Sequence, residues 1–151
     1  MNDHPVPVVT CTVYYKNQFL VIRRHDKAKK YGGLWGFPGG KTEHEETLGG
    51  ALRREIKEET GLNISDKIFL ANTYYYPGSV GVHFIAFADS SKVICEAGVE
   101  HKWLKSIDEL KALPRIPGID FHILQAEKYF NDKSSPLSLA LLDYTPEKYT
   151  N

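Results

Sequence analysis

The stretch from Gly40 to Leu62, GKTEHEETLGGALRREIKEETGL, decides the fold and holds most of the recognisable chemistry. Within it, the segment 47–60 has apolar residues at intervals of four: Leu48, Leu52 and Ile56. This interval places the three side chains on one face of an α-helix. Gly61 then supplies the residue that commonly follows a helix C-terminus. The pattern therefore predicts an amphipathic helix over 47–60 whose apolar stripe packs on a core.

The same helix carries three glutamates on another face, namely Glu55, Glu58 and Glu59. Their spacing projects the carboxylates from one side of the helix, about one turn apart. Like charges at this distance destabilise an isolated helix. One interpretation is a solvated acidic face. The sharper one is a hard-cation site, in which carboxylate oxygens converge on Mg²⁺ or Mn²⁺ and the cation relieves the repulsion.

The spacing of polar residues in 40–62 resembles the Nudix box of the Nudix hydrolase family. Its seven fixed identities are all present, with aliphatic residues at the two further positions: Gly40, Glu46, Arg54, Glu55, Glu58, Glu59 and Gly61, with Ile56 and Leu62. At about 7% per identity, seven chance matches have a probability near 10⁻⁸ per starting position. The preceding segment, 34–41, is similar to that of the family's MutT-like nucleotide pyrophosphohydrolases.

The flanking segments predict strands on both sides of this helix. Hairpins are expected from residues 6–15 and 19–22 and from residues 67–76 and 80–88, with a strand at 99–104. Helices are expected after Ser106 and over 119–130, and the glycine-rich segment 31–40 reads as an ordered functional loop. This order predicts an α/β fold, a Nudix-type α/β/α sandwich with a mixed β-sheet between helices, formed as one domain by residues 1–151. The apolar segment 138–142 is expected to pack against the domain or a partner.

The resemblance implies roles for residues of the box. Glu55, Glu58 and Glu59 would bind Mg²⁺ or Mn²⁺ together with the backbone carbonyl of Gly39. Arg54 would hold Glu55 through a charge-assisted hydrogen bond, while Glu46 would support the geometry of the helix and its loop. Family members hydrolyse a nucleoside diphosphate linked to another moiety, and water attacks a phosphorus while divalent cations stabilise the developing charge. For a MutT-like enzyme, a nucleoside triphosphate would yield nucleoside monophosphate and pyrophosphate.

A carboxylate from outside the box is also expected at the site. Glu100 matches a glutamate that many family members place there from a strand end, where it would serve as a metal ligand or as the general base. Glu96 is the substitute if Glu100 points away. Glu55 is a second candidate for the base, because family members differ in which glutamate activates water.

Several residues are candidates for substrate contacts. Arg23 and Lys41 would bind phosphates, as would Arg24, although the alternative is a basic turn and a solvated loop. Phe37 would stack on a base, with Trp35 and residues 74–76 as further aromatic candidates that are more often core. Asp120 would read a base edge or else cap the last helix.

The composition of the chain limits the kinds of binding partner that are expected. The 151 residues contain 19 basic and 19 acidic side chains, so the formal net charge of 0 argues against a long nucleic acid partner. The longest apolar run, 84–88, is too short to span a bilayer. The first five residues do not resemble a signal peptide, and Cys11 and Cys95 read as buried thiols, so a cytoplasmic protein acting on a small nucleotide is expected.

Two other functions stay open on the sequence. Pro77 lies 15 residues after Leu62, and a proline there resembles a marker of ADP-ribose pyrophosphatases. An ADP-ribose or nucleotide-sugar pyrophosphatase is therefore an alternative, although a proline is also common in a hairpin turn. The second alternative is a non-catalytic Nudix module that binds a nucleotide. The sequence leaves the oligomeric state open.

Overall fold

The computed structural model describes residues 5–131, which form strands and helices in the predicted order. The expected packing of 138–142 lies outside the described residues. In chain order the elements are β1 (Val8–Tyr15), β2 (Gln18–Arg23), β3 (Trp35–Gly36), β4 (Gly39–Lys41), α1 (Leu48–Thr60), β5 (Phe69–Tyr76), β6 (Ser79–Phe87), β7 (Glu100–Leu104), α2 (Ile107–Lys111) and α3 (Asp120–Asn131). None of the helices within residues 5–131 has the length and apolar character needed to cross a membrane.

The strands form one mixed sheet, as predicted. β1 and β2 make an antiparallel hairpin whose turn residues, Lys16 and Asn17, have φ angles of 48° and 64°, and such positive angles match the twist of the flanking strands. β5 and β6 form a second antiparallel hairpin, and β6 pairs in parallel with β1. On its other side, β1 pairs with β4 near its start and with β2 near its end.

Side-chain alternation along β1 divides the interior into two layers. Val9 and Val13 face the layer that also contains Leu52 and Ile56 of α1. A second layer, under α2 and α3, is formed by these buried residues: Phe19, Val21, Trp35, Leu104, Leu110, Ile119 and Ile123. The helices therefore cover the two faces of the sheet, which confirms the predicted α/β/α sandwich.

The segment 31–40 differs from the prediction of a loop, because it contributes β3 and the first residues of β4. Its glycines leave the backbone free to approach and pair with neighbouring strands, and β3 pairs with β2 while β4 pairs with β1. The cysteines also differ in part from expectation. Both are free thiols, but only Cys11 is buried, since Cys95 is half-buried.

Candidate active site

Helix α1 begins and ends at residues suited to those positions. The hydroxyl of Thr47 accepts a hydrogen bond from the Gly50 N–H at 3.0 Å, which satisfies one of the free donors of the first turn. Gly61, at φ 73°, ends the helix and donates its N–H to the Lys57 carbonyl. Between these caps the helix packs against β4, so its glutamates face the strand that begins at Gly39.

Arg54 is the centre of a hydrogen-bonded cluster at this face, which we call the Arg54 cluster: Lys41, Glu46, Arg54, Glu55 and Glu58. The guanidinium donates from Nε and Nη2 to the two carboxylate oxygens of Glu46, at 2.7 and 2.9 Å. Nη1 donates to Glu55 at 2.9 Å and to Glu58 at 3.3 Å, and Nη2 also donates to the Lys41 carbonyl at 3.1 Å. The hydrogen bond from Arg54 lowers the pKa of Glu46 and raises that of the guanidinium. The Arg54 side chain thus holds three glutamates of the box, Glu46, Glu55 and Glu58.

Glu59 is held by the backbone of the strand that begins at Gly39. Its Oε1 accepts a hydrogen bond from the Gly39 N–H at 2.7 Å. Burial raises the pKa of Glu59 to about 7, and the nearby charges of Glu55 and Glu58 act in the same direction, against the Gly39 hydrogen bond and Arg24. A carboxylate with this pKa lies among like charges that a bound cation would offset.

A cleft of about 540 Å³ opens beside Glu59, and we call it the large cleft. Its lining combines Gly39, Gly40 and Glu59 with the cationic side chains of Arg24, Lys30 and Lys41. Aromatic residues form much of the remaining wall, namely Tyr31, Phe37, Tyr74, Tyr75, Tyr76 and Phe121. Carboxylate, cations and aromatic rings therefore meet in one concave surface, as expected of a site for a small charged molecule with a flat group.

A second cleft, of about 160 Å³, shares Glu59 with the large cleft and is called the small cleft. Glu96 lines it together with Glu59, Arg23 and Arg24. Glu100 does not line either cleft; it is the first residue of β7, pairs with Arg23 across the sheet and has an exposed side chain. Of the two acidic residues considered in this segment, Glu96 is the one that shares a cleft with a box glutamate.

The expected substrate contacts divide into those at the clefts and one away from them. Lys41 lines the large cleft, Arg23 the small one and Phe37 both, although Arg23 also pairs with Asp26 at 2.5 Å. Asp120 lines neither cleft. Arg115 donates to both of its carboxylate oxygens, at 2.6 and 2.9 Å, and this hydrogen bonding lowers the pKa of Asp120. Trp35 is buried in the core, whereas residues 74–76 line the large cleft.

The sequence analysis named Tyr74 but not the residues it meets in the large cleft. Thr10, Tyr74 and His122 line the cleft, and the buried His83 lies beneath them; we call these four residues the floor. The rings of His83 and His122 stack with centroids 3.8 Å apart and planes 12° apart. Thr10 Oγ1 lies 2.7 Å from His83 Nδ1 and 3.1 Å from the Tyr74 hydroxyl. Apart from the aromatic candidate Tyr74, the sequence signal for this floor was the polar His83 inside the apolar strand segment 80–88. The partners of His83 are far away along the chain.

The donor chemistry of the Arg54 cluster and Glu59 suits a hard divalent cation, since it offers carboxylate and carbonyl oxygens. In the described part of the chain, no group of three or more His, Cys, Asp or Glu side chains is arranged as a ready-made metal site. The reason is visible in the contacts: Glu55 is engaged by Arg54, Glu59 by the Gly39 N–H, and Glu58 is 60% exposed. Burial is the main cause of the raised pKa of Glu59, and the charges of Glu55 and Glu58, which such a cation would offset, raise it further.

Comparison with known proteins gives three consistent matches. The NUDIX domain family model matches residues 4–123. An 8-oxo-dGTP diphosphatase of Buchnera aphidicola subsp. Schizaphis graminum is 30% identical over 113 residues, which cover 74% of this chain and 85% of that protein. Phosphatase NudJ of Escherichia coli strain K12 is 36% identical over 66 residues, which cover 44% of this chain and 41% of NudJ.

A solved structure agrees at the level of the fold. A NUDIX hydrolase from Nitrosomonas europaea superposes with a TM-score of 0.73 over 87% of this chain and 76% of that one, at 21% sequence identity. Its mixed sheet between helices is the architecture described above.

Proposed function

This chain belongs to the NUDIX family and is a hydrolase of phosphorus-containing anhydrides, and from that premise we propose that it cleaves the pyrophosphate linkage of nucleoside triphosphates in a divalent-cation-dependent reaction. The observation that carries this proposal is the large cleft, where Glu59 and Gly39 lie beside three cationic side chains and an aromatic wall. Phosphates fit the charged part and a base fits the aromatic part. The curated relative named as an 8-oxo-dGTP diphosphatase supports a triphosphate substrate.

Glu55, Glu58, Glu59 and the Gly39 carbonyl are the proposed ligands of Mg²⁺ or Mn²⁺. Once bound, such a cation would polarise phosphate oxygens and stabilise the charge that develops when water attacks phosphorus. Arg54 keeps Glu55 in place through its 2.9 Å hydrogen bond. Lys41 and Arg23 would steady the leaving phosphates, and Phe37 would contact the base.

A carboxylate must accept the proton of the attacking water. Glu100 and Glu55 were the candidates from sequence, with Glu96 as the substitute for Glu100. We favour Glu55 or Glu96, because Glu96 shares the small cleft with Glu59 while Glu100 lies outside both clefts. Asp120 is not assigned a base contact, since Arg115 engages both of its oxygens.

The proposed products are nucleoside monophosphate and pyrophosphate. The MutT-like resemblance favours attack of water at the β-phosphorus, which breaks the bond to the oxygen bridging the α- and β-phosphorus atoms. In ¹⁸O-water the label should then appear in pyrophosphate. Label in the monophosphate would place the attack at the α-phosphorus, and release of orthophosphate with nucleoside diphosphate would contradict the cleavage position.

The test of the proposal is a panel of nucleoside triphosphates assayed with and without Mg²⁺, using Glu58→Gln and a matched control. Glu58→Gln keeps the side-chain shape and removes its charge, so kcat should fall about 100-fold or more. Glu45→Gln is the control, because Glu45 is an exposed glutamate outside the clefts. Retention of most activity in Glu58→Gln, or full activity of the wild type in a chelator, would refute the metal assignment.

A second candidate substrate is ADP-ribose, favoured by the position of Pro77. This proline, the sequence marker noted above, lines the large cleft. Residues 74–77 therefore offer a surface for a group attached beyond the phosphates. Cleavage of ADP-ribose much faster than every triphosphate in the same panel would establish this alternative.

A further inference from the structure

At the floor of the large cleft, the Nε2 of His122 is a hydrogen-bond acceptor. The residues around His122 determine this role. His122 lies on α3, is 7% exposed and lines the cleft. Its Nδ1 is 3.3 Å from the Oδ1 of Asn72. Because an amide oxygen can only accept, Nδ1 carries the proton in this hydrogen bond. Burial lowers the pKa of His122 to about 4, so the ring is neutral at pH 7 and Nε2 is an acceptor.

This acceptor is open to the cleft. Within the described residues, the Nδ2 of Asn72 is the only fully enclosed side-chain nitrogen or oxygen that lacks a partner. His122 Nε2 has no hydrogen-bond partner in that part of the chain and is nevertheless not enclosed. Since His122 lines the large cleft, its free nitrogen is reachable by a molecule bound there.

The ring of His122 is held in position by the residue beneath it. It stacks on His83, whose two nitrogens lie 2.7 Å from the hydroxyl oxygens of Thr10 and Thr12. His83 is fully buried and fixed on both edges. A recognition group supported in this way keeps its direction before a ligand arrives.

Two aromatic rings flank His122. The Tyr74 ring lies over Gly81, its partner on the neighbouring strand β6. A β-carbon added to Gly81 would be 2.1 Å from the ring atom Cζ. The centroid of the Tyr74 ring is 4.9 Å from that of His122, and the centroid of Phe37 is 5.9 Å from that of His122. Both rings also line the cleft. Aromatic rings on either side of this acceptor suit a planar heterocycle that carries an N–H on its edge.

We propose that His122 determines base specificity, with Nε2 accepting a hydrogen bond from a ring or exocyclic N–H of a nucleobase held by Phe37 and Tyr74. The assignment rests on the proposed function, because it places the base of the nucleotide whose phosphates face Lys41 and Glu59. Asn72 is a positioning residue that keeps the proton of His122 on Nδ1. A base without an N–H at this point leaves Nε2 unpaired on binding, and such a loss discriminates strongly.

The experiment measures binding instead of turnover. Dissociation constants are determined calorimetrically for the guanosine, inosine, adenosine, cytidine and uridine monophosphates, which contain no pyrophosphate linkage. His122→Phe keeps a flat ring and removes Nε2. Leu124→Ala is the matched control, because Leu124 is on the same helix, is 51% exposed and does not line the cleft.

We expect the wild type and Leu124→Ala to separate the best and worst bases by about 10-fold or more, and His122→Phe to reduce this range to about twofold. Asn72→Leu should weaken the discrimination partly, because the proton of His122 is then free to move to Nε2, and it serves as the second probe if His122→Phe does not fold. An unchanged base ranking in a folded variant, or no base preference in the wild type, would overturn the proposal. Absence of triphosphate hydrolysis would instead refute the proposed function and leave this binding comparison intact.

Discussion

The Arg54 cluster and the floor of the large cleft are both polar, but they stabilise their side chains by opposite means. The Arg54 cluster is ionised, and one guanidinium satisfies three carboxylates and a carbonyl. The floor is neutral, because burial lowers the pKa of both His83 and His122. Charge is thus kept where phosphates and a cation are proposed to bind, and it is removed where an uncharged base is proposed to lie.

The two regions also differ in how the chain assembles them. The Arg54 cluster draws on residues 41–58, which form one strand end, one loop and one helix. The floor requires β1, β5, β6 and α3, with hydrogen bonds between residues as far apart as Thr10 and His83. A reaction shared by a family can therefore be encoded in a short motif, whereas recognition of a particular substrate depends on the whole fold.

The largest effect should come from removing the centre of the charged cluster. Arg54→Ala leaves the carboxylates of Glu46 and Glu55 without their cation, so we expect kcat/KM to fall about 100-fold and the free energy of unfolding to drop by about 2 kcal/mol. Arg53→Ala is the control, since the ion pair between Arg53 and the exposed Asp66 is long, at 3.5 Å, and therefore weak. Kinetics and denaturant unfolding of both variants measure this. Equal effects of the two substitutions would show that the Arg54 contacts carry no special weight.

Single substitutions of Glu96 and Glu100 should give the next largest effect. Glu96→Gln is expected to lower kcat about 30-fold, as for loss of a general base or metal ligand, and Glu100→Gln to change it less than about threefold. The two substitutions are chemically identical and lie on neighbouring parts of one segment, so each controls for the other. A larger loss in Glu100→Gln would restore the assignment made from sequence.

Two glycines allow each region to be disturbed separately. A β-carbon at Gly40 would lie 2.5 Å from the Glu55 carboxyl carbon, and one at Gly81 would lie 2.1 Å from the Tyr74 ring. Gly40→Ala should therefore lower kcat about tenfold with little change in KM, and Gly81→Ala should raise KM about fivefold with kcat retained. Steady-state kinetics on one substrate distinguish these patterns. If both variants changed the same parameter, the division between chemistry and recognition would be wrong.

In metal-free protein, acid should act with opposite sign on His122 of the floor and on Glu59, the box glutamate that lies outside the Arg54 cluster. His122 has a pKa of about 4 when folded against 6.5 ordinarily, so the unfolded chain binds more protons and this residue makes stability fall as pH drops from 6.5 to 4. Glu59 has a pKa of about 7 against 4.5, so the folded chain binds more protons and Glu59 makes stability rise as pH drops from 7 to 4.5. The slope approaches about 1.4 kcal/mol per pH unit for one proton.

His122→Phe should accordingly make the unfolding free energy less sensitive to acid, and Glu59→Gln should make it more sensitive. Urea unfolding in a chelator at pH 4.5, 5.5, 6.5 and 7.5 measures both slopes. Changes of the same sign in the two variants would contradict the assigned protonation states.

The elements near the Nudix box were predictable from sequence because their signals are local. The stripe Leu48, Leu52 and Ile56 fixed the face of α1 that packs inward, and the glycine after it fixed its end. The strands of residues 31–40 were missed, because two- and three-residue strands gain their hydrogen bonds only from distant partners. The local hydrophobic pattern of the sequence does not predict such pairing.

The candidate site followed the same division. The contact between Arg54 and Glu55 was expected from the motif, and the structure contains it. The position of Asp120 could not be judged from sequence, because Arg115, which binds it, is set by the turn between α2 and α3. His83 and His122 showed no metal-ligand spacing, and their stacking depends on the docking of α3 against β5 and β1.

The wall shared by the two clefts has a consequence for inhibitor design. Phe37 and Glu59 line both spaces, and the large cleft, at about 540 Å³, falls within the size range of pockets that hold drug-sized molecules. An uncharged compound with a planar head and a hydrogen-bond donor would engage Phe37 and Glu59 without imitating a polyphosphate. Selectivity would then come from a second donor that matches the proposed acceptor on His122, and not from contacts with the box glutamates, whose motif is shared by the family.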